Sequence, residues 1–205
     1  MVGPQPREAI EWLRQRRIPT VMGNTDAWCF DPQPFPIRDE KTQRIFEIET
    51  WGRLQLEPRD LDTIRIYQDT IELPLPGDRT LLCCHGAPDG IATAISSLTT
   101  QAELFSLVGA TQAQIIACGH THAPLFRRVG EKIVINPGSL GRPVELDADG
   151  QGVSCPWAEF ACINASEDQL SFSFERITYN MDAYFAIIRA CGIPHAEWYL
   201  ENYRS

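Results

Sequence analysis

A mixed α/β fold is the class this sequence predicts, and three observations predict it. Helical patterning dominates the first third of the chain and strand patterning the rest. No steady strand–helix–strand alternation runs through it, so the expectation is a mixed sheet or a two-sheet sandwich flanked by helices. Three apolar runs of strand length each stop at a polar cluster, the pattern of buried strands that deliver side chains to one edge.

Residues 6–14 read as an amphipathic helix with Pro6 in its first turn. The short run 18–22 is strand-like and ends at Gly23-Asn24-Thr25-Asp26, a segment that in isolation reads as a turn. Prolines punctuate residues 28–36, which read as a loop. Two helices come next, over 38–51 and 59–67, the second with Asp60 or Asp62 near its start. Residues 70–75 alternate and Pro76-Gly77-Asp78 turns. The run 80–84 then stays apolar up to His85. A helix near 100–108 precedes the buried run 114–118, which ends at Gly119-His120-Thr121-His122. Residues 125–129 and 132–135 flank Gly130-Glu131 as a hairpin and lead into Asn136-Pro137-Gly138-Ser139. A second hairpin pairs 157–164 with 169–179 across Ala165-Ser166-Glu167-Asp168. One or two short helices around 182–190 and 195–202 close the chain.

Composition narrows the function classes. The 205 residues suffice for a single domain with a sizeable core. Acidic side chains outnumber basic ones 27 to 18, a net charge of -9, which argues against nonspecific binding to nucleic acid or an anionic membrane. A small anionic substrate remains compatible, because a bound cation reverses the potential locally. No apolar run reaches the roughly 18–20 residues of a membrane span, and the N-terminal residues lack the apolar segment of a signal peptide. The seven cysteines include no CxxC pair and are odd in number, so reduced thiols and a cytoplasmic location are expected. Cys83, Cys84 and Cys118 sit within apolar runs and read as small core residues.

Three of the four histidines stand at the ends of buried-strand runs: His85, His120 and His122. A lone strand-end histidine is more often structural than a ligand, but three in this placement form a pattern. Neutral imidazoles joined by an amide or carboxylate oxygen make a mixed N/O donor set for manganese, iron, zinc or nickel. The i, i+2 spacing of His120 and His122 lets a loop splay one imidazole toward each of two ions, and paired ions about 3.5–4 Å apart clamp a phosphoryl group.

The order GNTD, His85-Gly86, GHTH, NPGS resembles the later motifs of the calcineurin-like metallophosphoesterases, nearest to their small bacterial and archaeal phosphodiesterases. The likeness spans nearly the whole chain as one domain, 1–205. It implies a four-layer αββα sandwich of two mixed sheets flanked by helices, with metals at one sheet edge. It further implies that Asn24, His85 and His120 hold one divalent ion, manganese first among the candidates, and that His122 belongs to a second. By the same likeness Asp26 and Asn24 serve catalysis, while Gly119, Asn136 and Ser139 shape the substrate pocket. For a complete relative the implied reaction is hydrolysis of a small phosphodiester or phosphomonoester by metal-activated water, and the missing N-terminal ligands are expected to impair it here. The alternative it carries is a catalytically silent scaffold, as the metallophosphoesterase-like retromer subunit is.

Two departures from the family pattern stand out. The family's opening Asp-x-His and Gly-Asp motifs are not in this sequence, and Met1-Val2-Gly3-Pro4 looks like the segment just after the family's Gly-Asp. Typical element lengths set the expected missing strand–helix–strand piece at roughly 30–40 residues. Such a loss exposes apolar sheet edge, so self-association is expected. Thr25 stands where many members carry a histidine. Trp28, Phe30 and Phe35 read as a loop packed on the core or as a stacking platform for a base. Arg127, Arg128 and Arg142 near the pocket motifs read as solvated surface cations with phosphate as the alternative partner.

Overall fold

The structure is a computed structural model describing residues 3–32, 36–146, 150 and 152–203. In chain order the elements are α1 (Pro6–Arg16), α2 (Asn24–Trp28), α3 (Glu40–Leu54), α4 (Pro58–Arg65), β1 (Thr70–Leu75), β2 (Arg79–Cys84), α5 (Gln101–Val108), β3 (Ile115–Ala117), β4 (Leu125–Val129), β5 (Lys132–Asn136), β6 (Val144–Leu146), β7 (Gly152–Ser154), β8 (Trp157–Ala165), β9 (Leu170–Thr178), α6 (Met181–Ala190) and α7 (Ala196–Glu201). The fold class is the expected one, a mixed α/β protein. Its chain divides into two compact units, a helical one (Met1–Thr20, Asn24–Tyr67, Asn180–Ser205) and a sheet-bearing one (Val21–Gly23, Gln68–Tyr179).

In the helical unit, Pro6 opens α1, where its missing N–H removes no helical bond. Asp39 caps α3: its carboxylate accepts the Thr42 N–H at 2.8 Å while the Thr42 hydroxyl accepts the Asp39 N–H at 3.0 Å. At the start of α4 the Asp60 carboxylate takes the part that the Thr42 hydroxyl has in α3, accepting the N–H of the capping residue Glu57 at 3.0 Å. Ile48 of α3 packs with Ile188, Ile193, Tyr199, Leu200 and Tyr203 as the core of this unit. Side chains buried this fully contribute about 1.5–3 kcal/mol each.

Two expectations are corrected here. Residues 24–28, expected as a turn running into a loop, form the short helix α2, with Asp26 in its first turn, where a carboxylate favours the helix dipole. Residues 18–22 form no strand: Val21 makes one isolated parallel bridge to Gln68, and Pro19 lacks the N–H a ladder needs. Met1, Val2 and Phe35 lie outside the described residues.

The sheet-bearing unit is built on a five-stranded sheet ordered β1-β2-β3-β5-β4. Its three central strands run parallel, with Leu82 opposite Ile116 and Ile116 opposite Val134, and the flanking β1 and β4 are antiparallel. Central parallel strands bury both faces, and β5 is buried at Val134, Ile135 and Asn136 in succession. On one face, Leu104 and Val108 of α5 join Cys84, Ile116, Cys118, Val129 and Val134 in a continuous core. A capping box between Thr100 and Glu103 starts α5. The hairpin β8–β9 forms its own two-stranded ladder. Its turn is held by Arg79, which donates to the carbonyls of Ser166 at 2.8 Å and Glu167 at 3.2 Å. The small β6–β7 ladder has no counterpart among the elements expected from sequence.

Candidate metal centre

Because β2, β3 and β5 are parallel and adjacent, their carboxyl ends share one edge of the sheet, the edge where α/β proteins gather ligands. His85 directly follows β2, Gly119-His120-Thr121-His122 follows β3, and Asn136 ends β5 at the head of Asn136-Pro137-Gly138-Ser139. The sheet thus brings three of the four sequence motifs together. Asn24 and Asp26 belong to the helical unit, at the first and third positions of α2.

Within the cluster, His85 Nε2 and His120 Nδ1 stand 3.2 Å apart, their rings nearly perpendicular at 80°. The two loops are pinned to each other by the Gly119 N–H, which donates to the His85 carbonyl at 2.7 Å. Burial lowers the pKa of His85 to about 4, with His120 and His122 adding to the effect. Burial also lowers His120 and His122 below the ordinary histidine value. All three imidazoles are therefore neutral near pH 7 and carry a lone pair for a Lewis acid. At His122 the tautomer is fixed: Nδ1 lies 2.9 Å from the Arg142 carbonyl, which only accepts, so Nδ1 carries the proton and Nε2 the lone pair.

The GHTH loop is strained to present these rings. His120 and His122 both adopt left-handed backbone, at φ 64° and 60°, a conformation that β-carbon sterics disfavour and that clusters at functional sites. Asn136 is what holds it there. Fully buried, it donates to the Gly119 carbonyl at 2.6 Å and the Thr121 hydroxyl at 3.0 Å, and its side-chain oxygen accepts the Gly138 N–H at 2.9 Å. Ser139 Oγ accepts the Arg142 N–H at 3.0 Å, closing the next turn of the same loop. Asn136 and Ser139, expected from the sequence as pocket residues, are thus placed as braces of the loops. Thr121 also belongs to this network, though its sequence position between two histidines gives no sign of it.

A cavity of ≈ 370 Å³ adjoins His85, lined by Asp69, Ala87, Pro88, Asp89, Gly90 and Ile91. Several other residues singled out from sequence have local partners. Arg127 donates to the Thr99 carbonyl and Gln101, and Arg142 donates through Nε to Ser154. Trp28 packs edge-on against Phe46, and Arg65 stacks over Phe30.

Two nitrogen ligands on one divalent ion, at bonds of about 2.0–2.1 Å and angles of about 90–110°, stand about 2.8–3.4 Å apart. The 3.2 Å between His85 Nε2 and His120 Nδ1 meets that separation, and both rings are neutral. The imidazole pair fits a cation. Among the described residues, no group of three or more His, Cys, Asp or Glu side chains converges as a ready-made metal cage. Burial pushes the Cys84 and Cys118 thiols up to about 12, so neither offers a thiolate near pH 7.

Fold and site together define a mixed α/β protein carrying an imidazole cluster at the carboxyl edge of its parallel strands. Residues 4–154 match the calcineurin-like phosphoesterase superfamily domain, and the chain belongs to that family. Membership implies a hydrolase of the metallophosphoesterase type that uses divalent metal. Among solved structures, a metallophosphoesterase from Sphaerobacter thermophilus is similar at 24% identity and TM-score 0.69, over 95% of this chain and 80% of that one. A hypothetical protein from Pyrococcus horikoshii OT3 is similar at 16% identity and TM-score 0.73, over 95% and 77%. The likeness to the first is consistent with a metallophosphoesterase α/β sandwich fold, and the second shares this chain's fold. No curated protein matches the chain.

Proposed function

We propose that this chain binds a divalent cation, Mn²⁺ first among the candidates and Fe, Zn or Ni next, and hydrolyses a small phosphodiester or phosphomonoester. The observation that carries the reading is the pair of neutral imidazoles, His85 and His120, 3.2 Å apart at the ends of parallel strands. His85 and His120 would hold one ion, and His122 offers Nε2 to the same or a neighbouring ion. Asn24 and Asp26 enter through family likeness, as a ligand and as an orienting carboxylate. When bound, a divalent cation supplies Lewis-acid chemistry, drawing charge from a phosphoryl oxygen. The chain's own part is to keep the donors unprotonated through burial and to fix His122 by the Arg142 carbonyl. The cavity beside His85 has room for a small substituent of the ester.

Net charge of -9 supports a small-molecule substrate over nucleic acid. Among the described residues, no helix is long and apolar enough to cross a membrane. Free thiols support a cytoplasmic setting. Self-association is part of the proposal and is supported by the β8–β9 ladder, which pairs with no third strand among the described residues.

The test is Mn²⁺ stoichiometry and bis-p-nitrophenyl phosphate hydrolysis, measured on the chain and on His85→Ala. Bound Mn²⁺ and turnover, both lost in the variant, are expected. Retained Mn²⁺ without turnover on any phosphoester would leave the scaffold alternative, and no Mn²⁺ uptake would sink the metal reading.

A further inference from the structure

We infer that Glu159 is a positioning residue for the histidine site, acting through the Asn136–Ser139 loop. The inference rests on the phosphoesterase reading only for its effect on cation affinity. Glu159 lies in β8, 3% exposed, and its carboxylate is held on one oxygen only. Oε1 accepts from Trp157 Nε1 at 2.9 Å and from Arg176 Nε at 2.9 Å, Arg176 being its cross-strand partner. Arg176 is itself fixed, stacked 4.5 Å over the Trp157 ring and donating to Glu145 at 2.8 Å. Oε2 is buried and has no hydrogen-bond partner. Leaving a buried carboxylate oxygen unpaired is costly, so its location calls for a reason.

That reason is Gly138. A β-carbon placed on Gly138 would stand 2.3 Å from Glu159 Oε2 and 2.7 Å from Glu159 Cβ, so the carboxylate fills the space behind this glycine. The backbones are joined as well, the Glu159 N–H donating to the Ser139 carbonyl at 2.9 Å. Gly138 at φ 86° donates to Asn136, and Asn136 holds Gly119 and Thr121 on either side of His120. A continuous chain of contacts therefore runs from Glu159 to the strained loop bearing His120 and His122. Its far end is tethered by Trp157 and Arg176, so Glu159 cannot withdraw without losing two donors. A charged side chain on the face of β8 that otherwise carries Trp157, Ala161 and Ile163 has in this arrangement a task that packing alone would give to an aliphatic residue.

The test compares wild type, Glu159→Ala, Glu159→Gln and the general destabiliser Val129→Ala, a core truncation in the same sheet-bearing unit. Amide hydrogen exchange at Gly119, Thr121 and Gly138, and the Mn²⁺ dissociation constant, are the readouts. Glu159→Ala is expected to speed exchange at all three amides by about tenfold beyond Val129→Ala, matching the loss of a hydrogen bond's protection. Mn²⁺ binding is expected to weaken by roughly 10–100-fold, the usual effect of losing a support behind metal ligands. Glu159→Gln keeps the acceptor oxygen and the bulk behind Gly138, and is expected to restore both readouts. Exchange in Glu159→Ala no faster than in Val129→Ala, or no rescue by Gln, would overturn the inference. Were wild type to bind no Mn²⁺, the metal reading would fall while the exchange pattern still decided the role of Glu159. If Glu159→Ala does not fold, Glu159→Asp, which withdraws the carboxylate by one methylene, is read in the same way.

Discussion

The amide of Asn136 reaches from the end of β5 to the Gly119 carbonyl at 2.6 Å, and so ties two neighbouring parallel strands together at the edge where the histidines emerge. Asn136→Ala would strip a partner from the Gly119 carbonyl, the Thr121 hydroxyl and the Gly138 N–H at once. A loss of about 3 kcal/mol is expected, since each orphaned buried group costs about 1–3 kcal/mol when water cannot replace the bond. Urea denaturation measures it. Asn136→Asp is expected to do no better, because a carboxylate has no proton to give the Gly119 carbonyl; a near-native midpoint in that variant would contradict the brace.

Gly138 is required twice over, by its φ of 86° and by the carboxylate behind it. Gly138→Ala is expected to cost more than about 2 kcal/mol, combining left-handed strain with a close contact. Gly150, also left-handed at φ 75° but with open space around a β-carbon, serves as the control, and its alanine variant is expected to show only the strain. Equal melting temperatures for the two variants would remove Glu159 from the account.

Tyr67 offers a pH prediction with a definite sign. Burial, followed by the Asp26 carboxylate, pushes its phenol from 10.0 up to about 12. The folded chain therefore holds this proton in a window where the unfolded chain has released it. Stability from Tyr67 is fully present below pH 10 and drains away as pH rises toward 12. Urea midpoints between pH 8 and 11 are expected to fall less steeply for Tyr67→Phe than for wild type. Parallel slopes would show that the phenol is solvated as in the unfolded chain.

Thiol labelling reads burial directly. Cys162 is exposed, whereas Cys29, Cys84, Cys118 and Cys155 are buried. Maleimide at neutral pH is expected to modify Cys162 first, with Cys84 and Cys118 reacting only after unfolding, because burial keeps them as thiols. Peptide mapping after a short pulse decides this; early labelling of Cys118 would mean that the sheet opens at β3.

Much of this arrangement was legible in the sequence, for reasons that can be named. The run Leu81-Leu82-Cys83-Cys84 is apolar throughout because β2 is covered on both faces, and the first polar residue after it had to emerge at an edge. The same logic located His120, whereas Asn136 was reached through the resemblance of its Asn-Pro-Gly-Ser motif. Less visible were elements whose existence depends on distant partners. β6 and β7 have three residues each and no periodicity to detect, being defined by pairing with each other. The strand expected at 18–22 dwindled to a bridge at Val21, since Pro19 removes a donor. Glu159 did carry a signal: in Trp157-Ala158-Glu159-Phe160-Ala161, alternation puts it on the face of Trp157 and Ala161, the more buried one. What alternation could not reveal was the loop it supports, because that contact is set by how β5 ends.

The parallel run of β2, β3 and β5 has a consequence for how the site comes into being. His85 and His120 are 35 residues apart in the chain, and Gly119 and Asn136 are 17 apart, so no local segment can assemble the cluster. Strands paired at such separation form slowly, after the loops between them have closed. The imidazoles therefore meet only once β3 has paired with β2. A cation bound to them would capture only chains that have completed this step, and by mass action would hold them there. Uptake of Mn²⁺ during refolding would then act as a clock for the pairing of β3 with β2.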